Sequence, residues 1–313
     1  MQLTEIVCVL VLKLLVRGVM LPLILALVFL STLELGAAEL TLPAYYWDGM
    51  VFQADQDQTM IWGFTTDNSL PVDVTVRCES TETQLRADPK DFKTTKARAD
   101  GFIWEVMYEE VRNNGDLCVI IIEQEESVLF LDNVVFGDLW FCSGQSNMNW
   151  PMQSIFNATE EVANSAGYTN IRFFVAGLQE STEEEDDLIE GGKWDEWNTP
   201  NVASRLNALS AVCFLFARSI TDRLSPSGED KRVIGLIEAS WGGTRIEAWM
   251  SQDALDACNV EPNVEPDDNS HNSNTYLWNA MVHPFLRHNI YGGLWYQGNY
   301  RAVSKTSSNA ILL

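Results

Sequence analysis

Basic side chains are scarce in this chain: Lys and Arg together number 20 against 44 Asp and Glu, a formal net charge of −24 over 313 residues. Phosphate recognition rests on clustered Lys and Arg that release counterions, so nucleic acid is excluded as a partner, and an anionic membrane surface is disfavoured with it. Histidine is scarcer still, with three in the whole chain. No run of His, Cys and carboxylates has metal-ligand spacing, so neither a metal nor another cofactor is expected. Internal repeats are also missing. Hydrophobic residues are not scarce: at 46% of the chain they suffice for packed cores, and the length suits two ordinary domains. Such acidity suits a soluble protein of an acidic or extracellular compartment.

The one long apolar stretch lies at the N-terminus. Lys13 and Arg17 precede Val19 to Leu30, and Gly36, Ala37 and Ala38 supply the small residues of a cleavage site. Residues 1–38 therefore read as a secretory signal, with an upstream extension if Met20 is the start. The rival is an uncleaved anchor, because apolar character from Ile6 nearly spans a bilayer, although Lys13 and Arg17 interrupt it. Once the signal is cleaved, no membrane attachment is expected. Asn157, Ala158 and Thr159 form a glycosylation acceptor that agrees with secretion, into the medium or to lysosomes. Six cysteines are present, Cys8 within the targeting segment. Cys78 and Cys118 lie in strand-like runs of one domain, either as a disulfide or as two buried thiols.

From residue 40 to 133 the pattern is short and β-like. Met60–Phe64, Val72–Arg77 and Cys118–Glu123 are separated by Asp, Asn, Gly and Pro, which predicts a small all-β sandwich. From residue 134 to 298 strands and helices alternate. An apolar run leads to Phe141, a helix is expected after Asn157, and Ile171–Val175 is a strand. Leu209–Leu224 has helical spacing, and Val233–Ala239 and Ile290–Tyr296 are strands. This is the grammar of a parallel α/β core. The acidic run from Glu180 to Asp187 reads as a solvated loop, with cation binding as its sharper alternative, and 259–275 is a second polar excursion.

The chemistry concentrates at Gly137 to Met148, where an apolar strand ends in Cys142, Ser143, Gly144, Gln145, Ser146, Asn147 and Met148. Catalytic groups of α/β sheets gather at the carboxyl ends of strands, and a Ser opening the next helix would sit in the positive end of its dipole. A helix-capping Ser would look the same.

This turn resembles the first block of the Ser-Gly-Asn-His hydrolases, specifically the sialate O-acetylesterase family. The similarity continues through Ser154–Thr159, Leu209–Cys213 and Ile234–Ile237, and is strongest over Ala239, Ser240, Trp241, Gly242, Gly243, Thr244, Arg245, Ile246, Glu247, Ala248 and Trp249. It resumes at Leu277–Pro284 and Trp295–Gly298, and Asp48–Gln53 with Ile61–Phe64 look family-like in the β region. The resemblance implies a three-layer α/β/α hydrolase core, incomplete here, behind the β-sandwich. It also implies removal of acetyl groups from O-acetylated sialic acid or sialoglycoconjugates through an acyl-enzyme on Ser146. Oxyanion donors would be the Ser146 N–H, the N–H of Gly242 or Gly243, and a side-chain amide of the third block, Gln297 or Asn299. A plain tight turn would equally require the two glycines. Gln145, Trp241, Arg245 and Glu247 are the substrate-binding candidates. Arg245 would either fork onto the sialic acid carboxylate or pair with Glu247 or an Asp.

After Gly298 the family pattern of Glu, Ser or Ala followed by Asn or Asp gives way to Asn299, Tyr300 and Arg301, so residues 299–313 are expected to be a divergent tail. The family's Asp-x-x-His block, source of the general base, is not found. Asp268-Asn269-Ser270-His271 matches its spacing but precedes the third block, and His283 belongs to the Leu277–Pro284 run. An impaired esterase is therefore expected. A non-catalytic sialoside-binding or partner-pairing isoform and a broader carbohydrate acetylesterase are the rivals. Oligomeric state is not legible.

Overall fold

One strand of eighteen residues, Ser127–Gly144, runs through both parts of the molecule. The computed structural model describes residues 39–54, 59–79, 81–95, 101–109, 112–194, 196–224 and 232–298. Residues 1–38, with Cys8 and the expected signal segment, and residues 299–313, with Asn299, lie outside the described residues. In chain order the strands are β1 (Leu40–Thr41), β2 (Val51–Gln53), β3 (Thr59–Thr65), β4 (Val72–Cys78), β5 (Glu82–Ala87), β6 (Lys93–Thr95), β7 (Gly101–Tyr108), β8 (Cys118–Gln124), β9 (Ser127–Gly144), β10 (Ile171–Val175), β11 (Ile234–Ser240) and β12 (Gly292–Tyr296). The α-helices are α1 (Ala158–Ser165), α2 (Ala203–Leu206), α3 (Ala211–Leu224) and α4 (Gln252–Ala257).

The first half of β9 pairs antiparallel with β8, which pairs with β4 and then β5. Facing it is a second antiparallel sheet of order β1-β3-β7-β6. Alternation explains the packing: Val72, Val74 and Val76 of β4 and Ile120 and Ile122 of β8 point inward, against Ile61, Trp62, Phe64, Ile103 and Trp104 from the opposite sheet. Each such aliphatic side chain removed from water contributes about 1.5–3 kcal/mol. Cys78 and Cys118 are directly opposed across β4 and β8 and form a disulfide.

Past Asn133, which has φ 55°, β9 changes partners. The bend falls where composition changes from β-like to alternating α/β. Val135–Gly137 pair parallel with β2, and Asp138–Gly144 pair parallel with β11 on one side, while Trp140–Gly144 pair with β12 on the other. β10 extends the sheet beyond β11, giving the parallel order β10-β11-β9-β12. All residues of β10 and β11 are buried, as expected of strands covered on both faces. α3 covers one face through Cys213, Phe214 and Ala217. Trp249, Leu277, Met281 and Phe285, on short helical turns, join the cluster that continues into the sandwich. The fold is thus α/β, with its core continuous with the β layers. Among the described residues no helix is long and apolar enough to cross a membrane.

Two expectations change. The acidic run is solvated only in part: Thr182, Glu183 and Glu184 are exposed, but Asp187 is buried. Asp187 Oδ1 accepts the Ala44 and Leu188 N–H groups, Asp186 pairs with Arg287 at 2.8 Å, and Glu184 accepts the Trp278 indole N–H. These carboxylates latch the loop to the β layers, and among the described residues no cluster of His, Cys and carboxylates that could hold a metal is found. Sequence reading also did not anticipate the Cys142–Cys213 disulfide, which ties β9 to α3. Cys258 is free and exposed.

His288 is fully buried against the rings of Tyr45, Tyr46 and Phe52. Burial pushes its imidazole down to about 4, against a weaker opposite contribution from the Val51 backbone. The folded state therefore keeps His288 neutral where the unfolded chain would protonate it. Stability from this group is complete above the ordinary value of 6.5 and is lost as pH falls toward 4, by about 3 kcal/mol in all. A His288→Phe chain is expected to lose less stability than wild type between pH 7 and pH 4.5 in urea titrations. Parallel loss in both chains would contradict this.

Candidate active site

The carboxyl ends of β9 and β11 meet at two turns. β9 ends at Gly144, and the chain turns over residues 145–149. No α-helix follows directly: a single 3-10 turn, Met152–Ser154, precedes α1. Ser146 is therefore not at a helix N-terminus, and the expected dipole contribution is missing. The turn is held instead by one helical bond from Asn149 N–H to Gln145 C=O at 2.9 Å. Pro151, which fixes its own φ and donates no N–H, lies just past the turn.

Ser146 is exposed. Its hydroxyl donates to Gln145 Oε1 at 3.0 Å and accepts the Gly243 N–H at 3.2 Å. The Ser146 N–H also reaches Gln145 Oε1, at 3.3 Å. Gln145 itself is buried, and its Nε2 has no hydrogen-bond partner. Gly242 faces Ser146: a Cβ added there would stand 3.4 Å from Ser146 Oγ. Gly243 has φ 82°, a conformation natural to glycine, and nothing packs where its Cβ would be. The two glycines thus leave open the space in front of Ser146 Oγ and aim one backbone donor into it.

A buried polar network supports the Ser146 turn from behind. Glu238 of β11 accepts the Ser210 N–H through Oε2 at 2.8 Å and the Ser240 hydroxyl through Oε1 at 2.8 Å. Asn149 Nδ2 reaches Ser240 Oγ at 3.2 Å. Ser210 caps α3, its hydroxyl accepting the Cys213 N–H, so Glu238 also meets the positive end of that helix. Burial nonetheless raises the Glu238 carboxyl above its ordinary range, with the bonds from Ser210 and Ser240 opposing.

The remaining candidates line the β11 turn unequally. Trp241 anchors its N–H on Gly144 C=O at 3.1 Å and stacks on His271 with 4.6 Å between ring centroids. Arg245 pairs not with Glu247 but with Glu265, at 3.5 Å, and donates to the Asn272 C=O. Glu247 Oε2 is buried without a hydrogen-bond partner. Gln297 Nε2 donates to Thr244 C=O at 3.4 Å, beside the glycine turn. Asn157 is exposed, in left-handed conformation ahead of α1.

The histidines are engaged elsewhere. His283 Nδ1 meets Glu185 C=O at 2.8 Å, His271 lies against Trp241, and His288 is in the core. Among the described residues none is hydrogen bonded to Ser146. Sequence reasoning missed Glu238, Asn149, Ser210 and Asn272. The first two lay inside or beside recognised blocks without a chemical pattern, and Asn272 lay in a polar stretch with no signal at all.

Comparison with known proteins gives a consistent picture. The family model for carbohydrate esterases described as sialic acid-specific acetylesterase matches residues 136–310, running past Gly298. The sialate O-acetylesterases of Pongo abelii and Homo sapiens are 34% and 35% identical over 289 residues, covering 90% of this chain and 52% of each relative. The chain thus spans about half the length of the curated relatives it matches. A crystal structure of a carbohydrate acetylesterase from Xanthomonas citri superimposes with a TM-score of 0.66 at 26% identity, over 83% of this chain and 52% of that one.

Proposed function

Since the chain belongs to the sialic acid-specific acetylesterase family of carbohydrate esterases, we propose that it carries the nucleophile half of an esterase acting on O-acetylated sialic acids. The observation that carries this reading is the Gly243 N–H resting on Ser146 Oγ at 3.2 Å, with the bare face of Gly242 beside it. A carbonyl carbon bonded to Oγ would bring its oxygen into the same space. The same donor stands close enough to meet the tetrahedral oxyanion, which supports reading Gly243 as an oxyanion-hole residue.

Attack by Ser146 Oγ on the acetyl carbonyl forms the Oγ–C bond and sends the carbonyl electron pair onto oxygen. Collapse expels the sugar hydroxyl and leaves acetyl-Ser146, which water hydrolyses to acetate. The Ser146 N–H becomes a second donor if it leaves Gln145 Oε1. The Ser146 proton needs an acceptor, and the Gln145 amide oxygen is not a base. Turnover by these residues alone is therefore expected to be about 10⁴- to 10⁶-fold below that of a complete triad. Added imidazole should raise it with saturation.

Two readings compete on specificity. The family and its sialate O-acetylesterase relatives support sialic acid. Engagement of Arg245 by Glu265 and Asn272 leaves that guanidinium less free for a carboxylate and favours a broader sugar acetyl ester. Imidazole-supported acetate release from O-acetylated sialic acid and from a neutral acetylated sugar separates them: at least tenfold preference for the sialic acid supports the first, and equal rates reject it. Sialoside binding with no acetate release at any imidazole concentration would support a binding role instead. Secretion, with glycosylation at Asn157, is part of the same proposal, supported by the two disulfides and the exposed acceptor. Absence of a glycosidase-induced mobility shift in material from a secreting eukaryotic cell would reject glycosylation.

A further inference from the structure

The glycine turn that supplies the oxyanion donor is gripped from outside by one side chain. Asn272 is buried at 3% exposure and closes the 3-10 segment Asp267–Asn272. Its Nδ2 donates to Gly243 C=O at 3.3 Å and to Asn269 Oδ1 at 2.8 Å, while its Oδ1 accepts the Arg245 N–H at 2.8 Å. Its own C=O takes the Arg245 guanidinium at 2.8 Å. One amide therefore spans two backbone groups of the turn, a carbonyl and an N–H two residues apart.

Other bonds hold the rest of the turn. Trp241 N–H is fixed on Gly144 C=O, and the Thr244 hydroxyl is bonded to Trp241 C=O and receives the Trp249 indole N–H. Between these anchors lie Gly242 and Gly243, the two residues with the widest backbone freedom, and nothing lies within 4 Å of where a Gly243 Cβ would be. Without Asn272 the Gly243 carbonyl and the Arg245 N–H lose their partners. The Gly243 dihedrals that aim its N–H at Ser146 then lose their outer restraint.

We propose that Asn272 is a positioning residue for acyl transfer: by holding the Gly243 C=O and the Arg245 N–H it restrains the Gly243 dihedrals from the far side, so that the Gly243 N–H, in the preceding peptide, meets the developing oxyanion on Ser146. The segment that reads in sequence as a polar excursion is thereby a support for the oxyanion site, reinforced by the His271 stack on Trp241. This inference rests on the reading of Ser146 as nucleophile and Gly243 as donor. Its stake is transition-state stabilisation, so it bears on the bond-forming step and not on affinity.

Saturation kinetics of a fluorophosphonate probe on the 313-residue chain in saturating imidazole, with wild type, Asn272→Ala and Asn272→Asp, test it. Asn272→Ala is expected to lower the limiting labelling rate about 10- to 100-fold with half-saturation within about twofold of wild type. Asp keeps an acceptor for Arg245 N–H but cannot donate to Gly243 C=O, and is expected to stay near the Ala level. Amide exchange of Gly243 and Arg245 should quicken about tenfold in Asn272→Ala, with the β11 amides unchanged. An unchanged limiting rate, or a loss carried wholly by half-saturation, overturns the proposal. If the wild type takes no label, the nucleophile reading fails instead. The exchange measurement then decides the clamp, and unaltered Gly243 and Arg245 amides overturn it.

Discussion

Ser146→Ala is expected to bring both fluorophosphonate labelling and imidazole-supported acetate release down to the rate of the probe or ester in buffer, while leaving the thermal melt almost where it was. The two halves of this expectation have separate causes. Chemistry is lost because, in the proposed reaction, Oγ is the atom that forms the bond. In dissected serine hydrolases, removal of the nucleophile costs about 10⁶ in turnover and leaves only what binding and the oxyanion site provide. Stability is kept because the hydroxyl is exposed and makes two ordinary bonds, to Gln145 Oε1 and from Gly243 N–H. Such bonds contribute about 1 kcal/mol each at most in net terms. Water can replace both partners in the variant. Labelling or imidazole-supported acetate release at the wild-type rate in Ser146→Ala would assign the reaction to another residue.

Gly144→Ala is expected to be the most disruptive single methyl group in the site. Gly144 sits at φ 139°, where an L side chain is strained, and an added Cβ would lie 2.3 Å from Tyr296 C=O and 2.8 Å from the carbonyl carbon. Those are backbone atoms of β12, so no rotamer change relieves the overlap. Either β12 moves away from β9 or Gly144 turns, and both break the Gln145 N–H bond to Tyr296 C=O that seats the nucleophile turn. Strain and overpacking together imply a loss of about 3–5 kcal/mol. Chemical denaturation and labelling should both register it: a midpoint well below wild type, and labelling slowed by more than tenfold even where the chain is still folded. A variant with wild-type midpoint and labelling would show that the two strands are not packed as described.

Elements with strong alternation or unbroken apolar runs were legible before any coordinates: β3, β4, β8, β10 and β11 lie within one residue or so of their expected bounds, because burial on one or both faces writes itself into residue type. α3 was legible for the same reason, and its start was set by Ser210 capping at the point where apolar spacing begins. Ser146, Gly242 and Gly243 were legible through family resemblance, and the bond between Gly243 N–H and Ser146 Oγ draws them together. What escaped was whatever depends on partners far apart in sequence. Cys142 and Cys213 are 71 residues apart, and no spacing rule pairs them. Asn272 reaches Gly243 and Arg245, 29 and 27 residues away, by one side-chain bond to the backbone of each, bonds that any asparagine in any polar loop has the chemistry to make. The reading of the acidic run as solvated holds at Thr182 to Glu184 and breaks at Asp186 and Asp187 in the same way, since composition cannot tell a carboxylate facing water from one facing Arg287 or the Ala44 N–H. The expected helix at Ser146 failed because strand-turn-helix is the common continuation in α/β sheets, and Pro151 with the pairing of residues 150–153 to 207–211 imposes another path here.

The central claim is that Ser146 is the atom-bearing nucleophile of an acyl-transfer site built at the ends of β9 and β11. Peptide mapping of the chain after fluorophosphonate treatment in saturating imidazole tests it most directly. The account predicts one adduct, on Ser146, in the peptide that spans β9 and its turn, and none in a urea-unfolded control. An adduct on another residue, or none on a chain shown to be folded, would contradict it.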